Sequence, residues 1–132
     1  MFKHLSITND TIRAKKFFED LLAYTTTPYT LNELFNSDIN SFTIADVRAY
    51  DDYNEGHIPF AIHLPSDKIA ENLHLLDKEK PTILYCYEQH CHLAKNSAIV
   101  LLDHYYPVIE LEGGFDAWKK HGYDIVKTDS II

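Results

Sequence analysis

Short apolar segments of strand-like composition alternate with helical patterns along most of this chain, and this alternation restricts the possible folds more than any other feature. The predicted strands are Tyr24–Thr27, Phe42–Val47, Ala61–Leu64, Thr82–Tyr85 and Val108–Leu111. Between and after them, helices are predicted at Thr30–Asn36, Asp67–Leu76, Leu93–Asp103 and Phe115–His121. Because a connection between parallel strands usually contains a helix, this order favours a parallel sheet covered on both faces. We therefore expect an α/β fold, a three-layer α/β/α sandwich with a five-stranded parallel sheet.

An additional helix is predicted before the first strand. Asn9 and Asp10 both offer an N-cap for it, it ends near Leu22, and it has one apolar side formed by Ala14, Phe17, Phe18, Leu21 and Leu22. The 132 residues suffice for one hydrophobic core, so we expect one compact domain. Residues 1–27 would form the helical extension and first strand, and residues 28–132 the main domain. The apolar side is expected to pack on its own domain; a second copy is the alternative, so monomer and homodimer both stay open.

The charge balance excludes several classes of partner. The formal net charge is -8 and the sequence pI about 5.3, so there is no cationic surplus to bind nucleic acid. No apolar run approaches the roughly 20 residues that cross a bilayer, and the first ten residues lack the apolar stretch of a secretory signal. Two cysteines close in sequence, Cys86 and Cys91, do not form a secreted disulfide framework. We expect a cytoplasmic protein that contacts neither nucleic acid nor membrane.

The predicted strand Thr82–Tyr85 runs directly into Cys86, and a helix begins about six residues later. A short loop between a strand end and a helix N-terminus tends to turn its backbone N–H groups toward one point and so binds anions. A cysteine at the base of such a loop is expected to have a lowered thiol pKa and to act as a nucleophile. The alternative is a small buried apolar side chain, which is the common role of a free cysteine.

Polar residues also follow two other predicted strands. Asp46 and Arg48 end the second strand, and His63 lies near the end of the third. In parallel sheets the functional groups gather beyond the carboxyl ends of strands, so these side chains are candidates for the same site as Cys86. For Asp46 and Arg48 we favour a structural ion pair over a direct catalytic role.

The loop after Cys86 also contains zinc-ligand types, in Cys86 itself, His90, Cys91 and His92. A loop that turns its amides inward points most of its side chains outward, which disfavours a metal site. We expect no metal and no cofactor.

Several motifs together resemble one known family. They are Asp46-Val47-Arg48, Gly56-His57-Ile58-Pro59, Tyr85-Cys86 and Gly113-Gly114-Phe115-Asp116-Ala117-Trp118. In order and spacing, the segment from about Pro28 to Tyr123 resembles the rhodanese-like (sulfurtransferase) domain. The resemblance implies the same α/β/α sandwich and a sulfur-carrying nucleophile at Cys86. It implies a substrate-binding loop formed by Tyr87, Glu88, Gln89, His90, Cys91 and His92, with Asp46 and Arg48 in support.

The resemblance also implies a reaction. Cys86 would take a sulfane sulfur from thiosulfate or a persulfide and pass it to a thiol or cyanide. The partners would be small sulfur donors and thiol acceptors, or a sulfur-relay protein. The loop lacks the glycines and the arginine that are frequent in active members, and Glu88 would repel a dianion, so we predict weak thiosulfate turnover. In having a second loop cysteine, Cys91, the chain is similar to one bacterial subgroup of single-domain members of the family.

Two other functions occur on folds of this kind. The related cell-cycle phosphatases share this fold but close a loop one residue longer with an arginine; this chain has His92 there and no arginine after Arg48, which disfavours phosphatase chemistry. A non-catalytic binding or redox-sensing module is the remaining alternative. Loss of the loop glycines favours it, and retention of Cys86 argues against it.

Overall fold

The centre of the fold is one sheet of five parallel strands. The computed structural model describes residues 10–128, and in this range the strands are β1 (Thr25–Thr26), β2 (Thr43–Asp46), β3 (Ile62–His63), β4 (Thr82–Tyr85) and β5 (Val108–Leu111). Their order across the sheet is β1-β5-β4-β2-β3, and every pairing between them is parallel. All five predicted strands are present, so the five-stranded parallel sheet is confirmed.

Helices cover both faces of this sheet. They are α1 (Thr11–Tyr24), α2 (Pro28–Ser37), α3 (Tyr50–Glu55), α4 (Leu93–Asp103) and α5 (Gly114–Lys120), with 3₁₀ turns at Ile39–Ser41 and Ala70–Leu75. Within residues 10–128, no helix has the length and apolar character that a membrane span requires.

The side chains of the strands divide between two hydrophobic cores. Successive residues of β4 alternate, so that Ile83 and Tyr85 enter one core with Leu31 of α2 and Trp118 of α5. On the opposite face, the second core contains strand, loop and helix residues, including Ala45, Leu84, Cys86, Ala94 and Leu101. The three-layer sandwich is therefore confirmed, with Cys86 on the face covered by α4.

Helix α3 was not predicted, because its sequence offers no apolar stripe. Its first turn carries Asp51 and Asp52, which favour the positive end of a helix dipole. Tertiary contacts cap its other end: the Arg48 guanidinium donates to the Asp52 carbonyl oxygen, and His57 hydrogen-bonds through Nδ1 to the Tyr53 carbonyl oxygen at 2.8 Å. The helix thus depends on partners that lie outside its own sequence.

Two predicted boundaries were wrong. The pattern at Asp67–Leu76 forms a 3₁₀ segment over Ala70–Leu75, which is interrupted at Asn72 by non-helical dihedral angles. Helix α1 continues through Tyr24, which leaves only Thr25 and Thr26 for the first strand. Local β-propensity at Tyr24 is overridden because the helix hydrogen-bonding continues to that residue.

Helix α1 lies beside β5 and α4 without burying any of its residues. Its N-terminus is capped by the Asp10 carboxylate, which accepts from the Arg13 N–H at 2.9 Å. Phe17, Leu21 and Tyr24 line a cleft of about 500 Å³ against α4, whereas Leu22 is 83% exposed. Helix α1 therefore lies on its own domain with its apolar side only partly covered, and packing against a second copy stays the alternative prediction.

Helix α4 ends in a turn that normally contains glycine. Tyr105 adopts φ +68°, its N–H donates to the Leu102 carbonyl at 2.9 Å, and the Tyr106 N–H donates to the Leu101 carbonyl at 3.0 Å. These two bonds form the Schellman arrangement, which requires a left-handed residue where Tyr105 stands. A residue with a Cβ is strained in that conformation by about 1–2 kcal/mol.

We therefore predict that Tyr105→Gly raises the free energy of unfolding by about 1 kcal/mol, because it relieves this strain and Tyr105 is 83% exposed. Tyr105→Ala is the matched control, since it removes the ring but keeps the Cβ, and it should stay near wild type. Urea unfolding followed by circular dichroism measures both. Equal effects of the two substitutions would show that the ring, rather than the backbone, determines the change.

Candidate active site

Three polar strand ends meet at one edge of the sheet, as the sequence predicted. Asp46 of β2 is in register with Tyr85 of β4 on one side and with His63 of β3 on the other, and Cys86 directly follows Tyr85. The chain leaves β2 toward β3 in one direction and leaves β4 toward β5 in the other. Their carboxyl ends therefore flank the topological switch point, where open parallel sheets bind ligands.

Asp46 and Arg48 form a buried ion pair beside this point. The Arg48 Nε lies 3.1 Å from both Asp46 carboxylate oxygens, and one terminal nitrogen lies 2.8 Å from Oδ2. The same nitrogen donates to the Gly56 carbonyl oxygen at 2.6 Å. Arg48 is 4% exposed and Asp46 is fully buried, so the predicted structural ion pair is present.

The Arg48 guanidinium also contacts aromatic rings from two other segments. Its central carbon lies 4.0 Å from the ring centre of Phe115 in α5 and 5.7 Å from that of Tyr87 in the loop. Burial alone would lower the pKa of Arg48, but the hydrogen bonds and charge of Asp46 outweigh it and hold that pKa above its ordinary value. Arg48 is thus a permanent cation that joins β2, α3, the loop and α5.

The loop that follows Cys86 is held in place by the N-terminus of α5. The Phe115 N–H donates to the Cys86 carbonyl oxygen and the Asp116 N–H to the Tyr87 carbonyl oxygen, both at 2.9 Å. The Gly113 N–H donates to Gln89 Oε1 at 2.7 Å. These contacts fix the loop backbone from the side opposite α4.

Gly114 permits this close approach. It has φ +60°, and a Cβ at this position would lie 2.7 Å from the Cys86 carbonyl oxygen. Gly114 also forms, together with Gly113, the tight turn into α5. Its second role, at the loop, was missed because the sequence does not show which backbone passes beside the turn.

The Tyr87 side chain attaches the loop to α3. Its hydroxyl donates to Asp52 Oδ2 at 2.6 Å and accepts from the Ala49 N–H at 3.2 Å. Burial, followed by the hydrogen bond to Asp52, raises the pKa of Tyr87. Tyr87 therefore shapes the wall of the site and is not free to bind a ligand through its hydroxyl in this arrangement.

The other loop side chains point outward. Glu88, Gln89, His90 and His92 are exposed, whereas Cys86 is buried and Cys91 is half-buried. Glu88 lines a cleft of about 780 Å³ together with charged side chains of α3, α5 and the C-terminal segment: Asp52, Glu55, Asp116, Lys119 and Lys127. Among residues 10–128, the His, Cys, Asp and Glu side chains do not form a group that could hold a metal ion.

The two cysteines contact each other although five positions separate them. The Cys86 thiol lies 3.4 Å from the Cys91 carbonyl oxygen and also hydrogen-bonds to the Cys91 sulfur. A turn closed by the Cys91 N–H and the Glu88 carbonyl oxygen, at 3.1 Å, brings the chain back. Both thiols are free.

Burial raises the pKa of the Cys86 thiol to about 12, and its hydrogen bond to Cys91 adds to this effect. The expectation of a lowered pKa is therefore wrong for the ligand-free protein. Backbone amides of Tyr87 and Ala94 do reach the Cys86 sulfur and oppose the shift, but desolvation of the thiolate outweighs them. Burial would raise the pKa of Cys91, but the hydrogen bonds from Cys86 and from the amides of Leu93 and Tyr87 outweigh it and lower that pKa.

These features define a class: a parallel α/β/α sandwich whose central strand ends in a cysteine loop clamped between two helices. The sequence model of the rhodanese-like domain matches residues 27–121, and the chain belongs to this family. It is 43% identical over 79 residues to the thiosulfate sulfurtransferase GlpE of Coxiella burnetii, covering 59% of this chain and 72% of that protein. It is 31% identical to GlpE of Shewanella oneidensis, covering 67% and 88% respectively.

Solved structures extend the likeness to most of the fold. The BH2092 protein from Bacillus halodurans superimposes with a TM-score of 0.83 at 30% identity, covering 90% of this chain and 88% of that one. A Lactobacillus plantarum protein superimposes with a TM-score of 0.80 at 21% identity, covering 89% of this chain and 98% of its own, which shows a common fold.

We predict that Arg48→Met lowers the free energy of unfolding by about 3–5 kcal/mol, because it leaves the Asp46 carboxylate buried without a counter-charge. Lys16→Met is the matched control. Lys16 forms an ion pair with Asp20 at 2.7 Å, but the two side chains are 72% and 43% exposed and solvent screens the pair, so its loss should leave the stability close to that of the wild type. Similar urea midpoints for both variants would contradict this interpretation of the buried pair.

Titration of the thiols provides a further prediction. The pKa of Cys91 is lowered and that of Cys86 is raised, so iodoacetamide should label Cys91 first, while labelling of Cys86 should keep rising with pH toward its pKa of about 12. Cys91→Ala removes one cause of the raised pKa and should shift the Cys86 titration to lower pH. Faster labelling of Cys86 at neutral pH in the wild-type protein would contradict the assignment.

Proposed function

We propose that this protein is a sulfurtransferase that carries a sulfane sulfur as a persulfide on Cys86. The observation that carries the proposal is the position of the Cys86 sulfur at the carboxyl end of β4, with the amides of Tyr87 and Ala94 directed at it. Amide dipoles at this point stabilise an anion on sulfur. Family membership and the sulfurtransferases among the relatives support the same reaction class.

The reaction has two balanced steps. The Cys86 thiolate attacks the sulfane sulfur of the donor, a new Sγ–S bond forms, and the donor's S–S bond breaks with its electron pair on the leaving group: sulfite from thiosulfate, or a thiolate from a persulfide. In the second step an acceptor thiolate attacks the outer sulfur, and the Cys86 thiolate leaves. No net oxidation is needed, and one proton is released and one taken up by Cys86.

Deprotonation of Cys86 is part of the first step because its raised pKa keeps it protonated at neutral pH. The Cys86 thiol donates to the Cys91 backbone carbonyl oxygen at 3.4 Å, so deprotonation also removes this hydrogen bond. Once formed, a persulfide is more acidic than a thiol, and its anion remains under the amides of Tyr87 and Ala94. The site therefore stabilises the persulfide anion on Cys86 more than the Cys86 thiolate from which it forms.

The charges around the site favour a donor that is not a dianion. Four carboxylates line the larger cleft, namely Asp52, Glu55, Glu88 and Asp116. Its cations are Lys119, Lys127 and Arg48, and Arg48 is already paired with Asp46. We propose a persulfide of a small thiol or of a sulfur-relay protein as the donor and a thiol as the acceptor, in a reducing compartment such as the cytoplasm.

A second function is supported by one observation. A protonated, buried Cys86 without a nearby unpaired arginine fits a non-catalytic binding or redox-sensing module. Such a module would retain the fold and the two thiols without turning over a sulfur donor.

Intact-mass measurement separates the two functions. After incubation with glutathione persulfide and removal of excess donor, Cys91→Ser should gain the mass of one sulfur atom, and Cys86→Ser should gain none. At equal concentration, thiosulfate should load the Cys91→Ser protein more slowly than glutathione persulfide does. Adding Glu88→Gln should reduce the difference between the two loading rates, because it removes a negative charge from the cleft. Added sulfur on the Cys86→Ser protein, or none on either variant, would contradict the proposal.

A further inference from the structure

The only two cysteines of the chain, Cys86 and Cys91, form a contact that the transfer reaction does not require. Simple transfer needs one sulfur carrier, and that carrier is Cys86. Cys91 nevertheless lies against the same hydrophobic core as Cys86, with its backbone turned back by the hydrogen bond to Glu88. The loop thus holds a second cysteine next to the proposed sulfur carrier.

We propose that Cys91 is a resolving cysteine that attacks the Cys86 persulfide, releases hydrosulfide and closes a Cys86–Cys91 disulfide. This inference rests on the proposed persulfide at Cys86. It adds a second outcome for the bound sulfur, in which the sulfane sulfur is reduced and released instead of being transferred to an acceptor.

The step balances without an outside reagent. The Cys91 thiolate supplies the electron pair of the new Sγ–Sγ bond, and the bond between Cys86 Sγ and the outer sulfur breaks. Its electron pair leaves with the outer sulfur, which keeps the persulfide proton, or takes one proton from water if the persulfide is ionised, and departs as hydrosulfide. The sulfane sulfur is reduced by two electrons, and each cysteine sulfur is oxidised by one; an external dithiol then reduces the disulfide and restores both thiols.

Geometry favours attack at the inner sulfur. The backbone carbonyl oxygen of Cys91 lies 3.4 Å from the Sγ atom of Cys86, and this atom becomes the inner sulfur of the persulfide, so the loop holds Cys91 beside the inner sulfur. Attack at the outer sulfur would instead expel the Cys86 thiolate, whose pKa is raised by burial. Because a leaving group of lower pKa departs faster, hydrosulfide is the better leaving group of the two.

The environment of Cys91 fits this role. The hydrogen bond from Cys86 and the amides of Leu93 and Tyr87 lower the pKa of Cys91, which makes it the more readily ionised of the two thiols. Cys91 is half-buried, whereas Cys86 is 2% exposed, so an external dithiol can reach the disulfide from the Cys91 side. When the dithiol attacks the Cys91 sulfur, it forms a mixed disulfide with Cys91, and Cys86 leaves as the thiol.

The test uses the full chain, reduced and desalted under anaerobic conditions. One equivalent of glutathione persulfide is added with no acceptor, and hydrosulfide is trapped with monobromobimane while intact mass is recorded. Wild type should release hydrosulfide and lose the mass of two hydrogens, and peptide mapping should link Cys86 to Cys91. Cys91→Ser should keep the added sulfur and release no more hydrosulfide than Cys86→Ser.

Two failures can be told apart. If both wild type and Cys91→Ser keep the added sulfur with no disulfide, the resolving role of Cys91 is wrong and the transfer function stands. If Cys91→Ser gains no sulfur, the persulfide on Cys86 is wrong, and the resolving role falls with it. Wild type without donor must keep both thiols in the same buffer, and a disulfide in that control would assign the bond to direct oxidation and overturn the resolving reaction.

Discussion

The buried ion pair between Asp46 and Arg48 is the interaction on which the rest of the site depends. Two charges removed from water are tolerated only when their hydrogen-bonding groups are satisfied, and here the carboxylate accepts from Arg48 while the guanidinium also donates to the Gly56 carbonyl. Phe115 packs on the guanidinium face. One cation therefore fixes the end of β2, the end of α3 and the start of α5 relative to one another.

The contacts around Arg48 also determine the shape of the cysteine loop. Phe115, which packs on Arg48, also donates its backbone N–H to the Cys86 carbonyl, and Gly114 leaves room for that contact. Tyr87 is attached to Asp52 of α3. A loop without glycine can keep its conformation here because neighbouring elements hold its backbone from outside, whereas glycine-rich loops depend on their own flexibility.

Burial determines the chemistry available to this loop. The amides at the Cys86 sulfur favour an anion, but desolvation is stronger, and the pKa of Cys86 is raised while that of Cys91 is lowered. The two neighbouring thiols therefore differ in how readily they ionise, and Cys91 ionises more easily than Cys86. A loop with a single cysteine would need nearby cations to offset the desolvation of its thiolate. The exposed loop side chains here do not include an arginine.

Apolar periodicity in the sequence determined the five strands, the parallel sheet and the long helix α4, because each depends on local pattern and on covering both sheet faces. The position of Cys86 at a strand end was fixed in the same way. Tertiary structure alone decided the polar helix α3, the loop contact of Gly114 and the exposed side of α1, since each depends on which distant segment lies beside it. It also decided the sign of the Cys86 pKa shift: the sequence shows the nearby amides, but the desolvation that outweighs them exists only once α4 and the second core close over the sulfur.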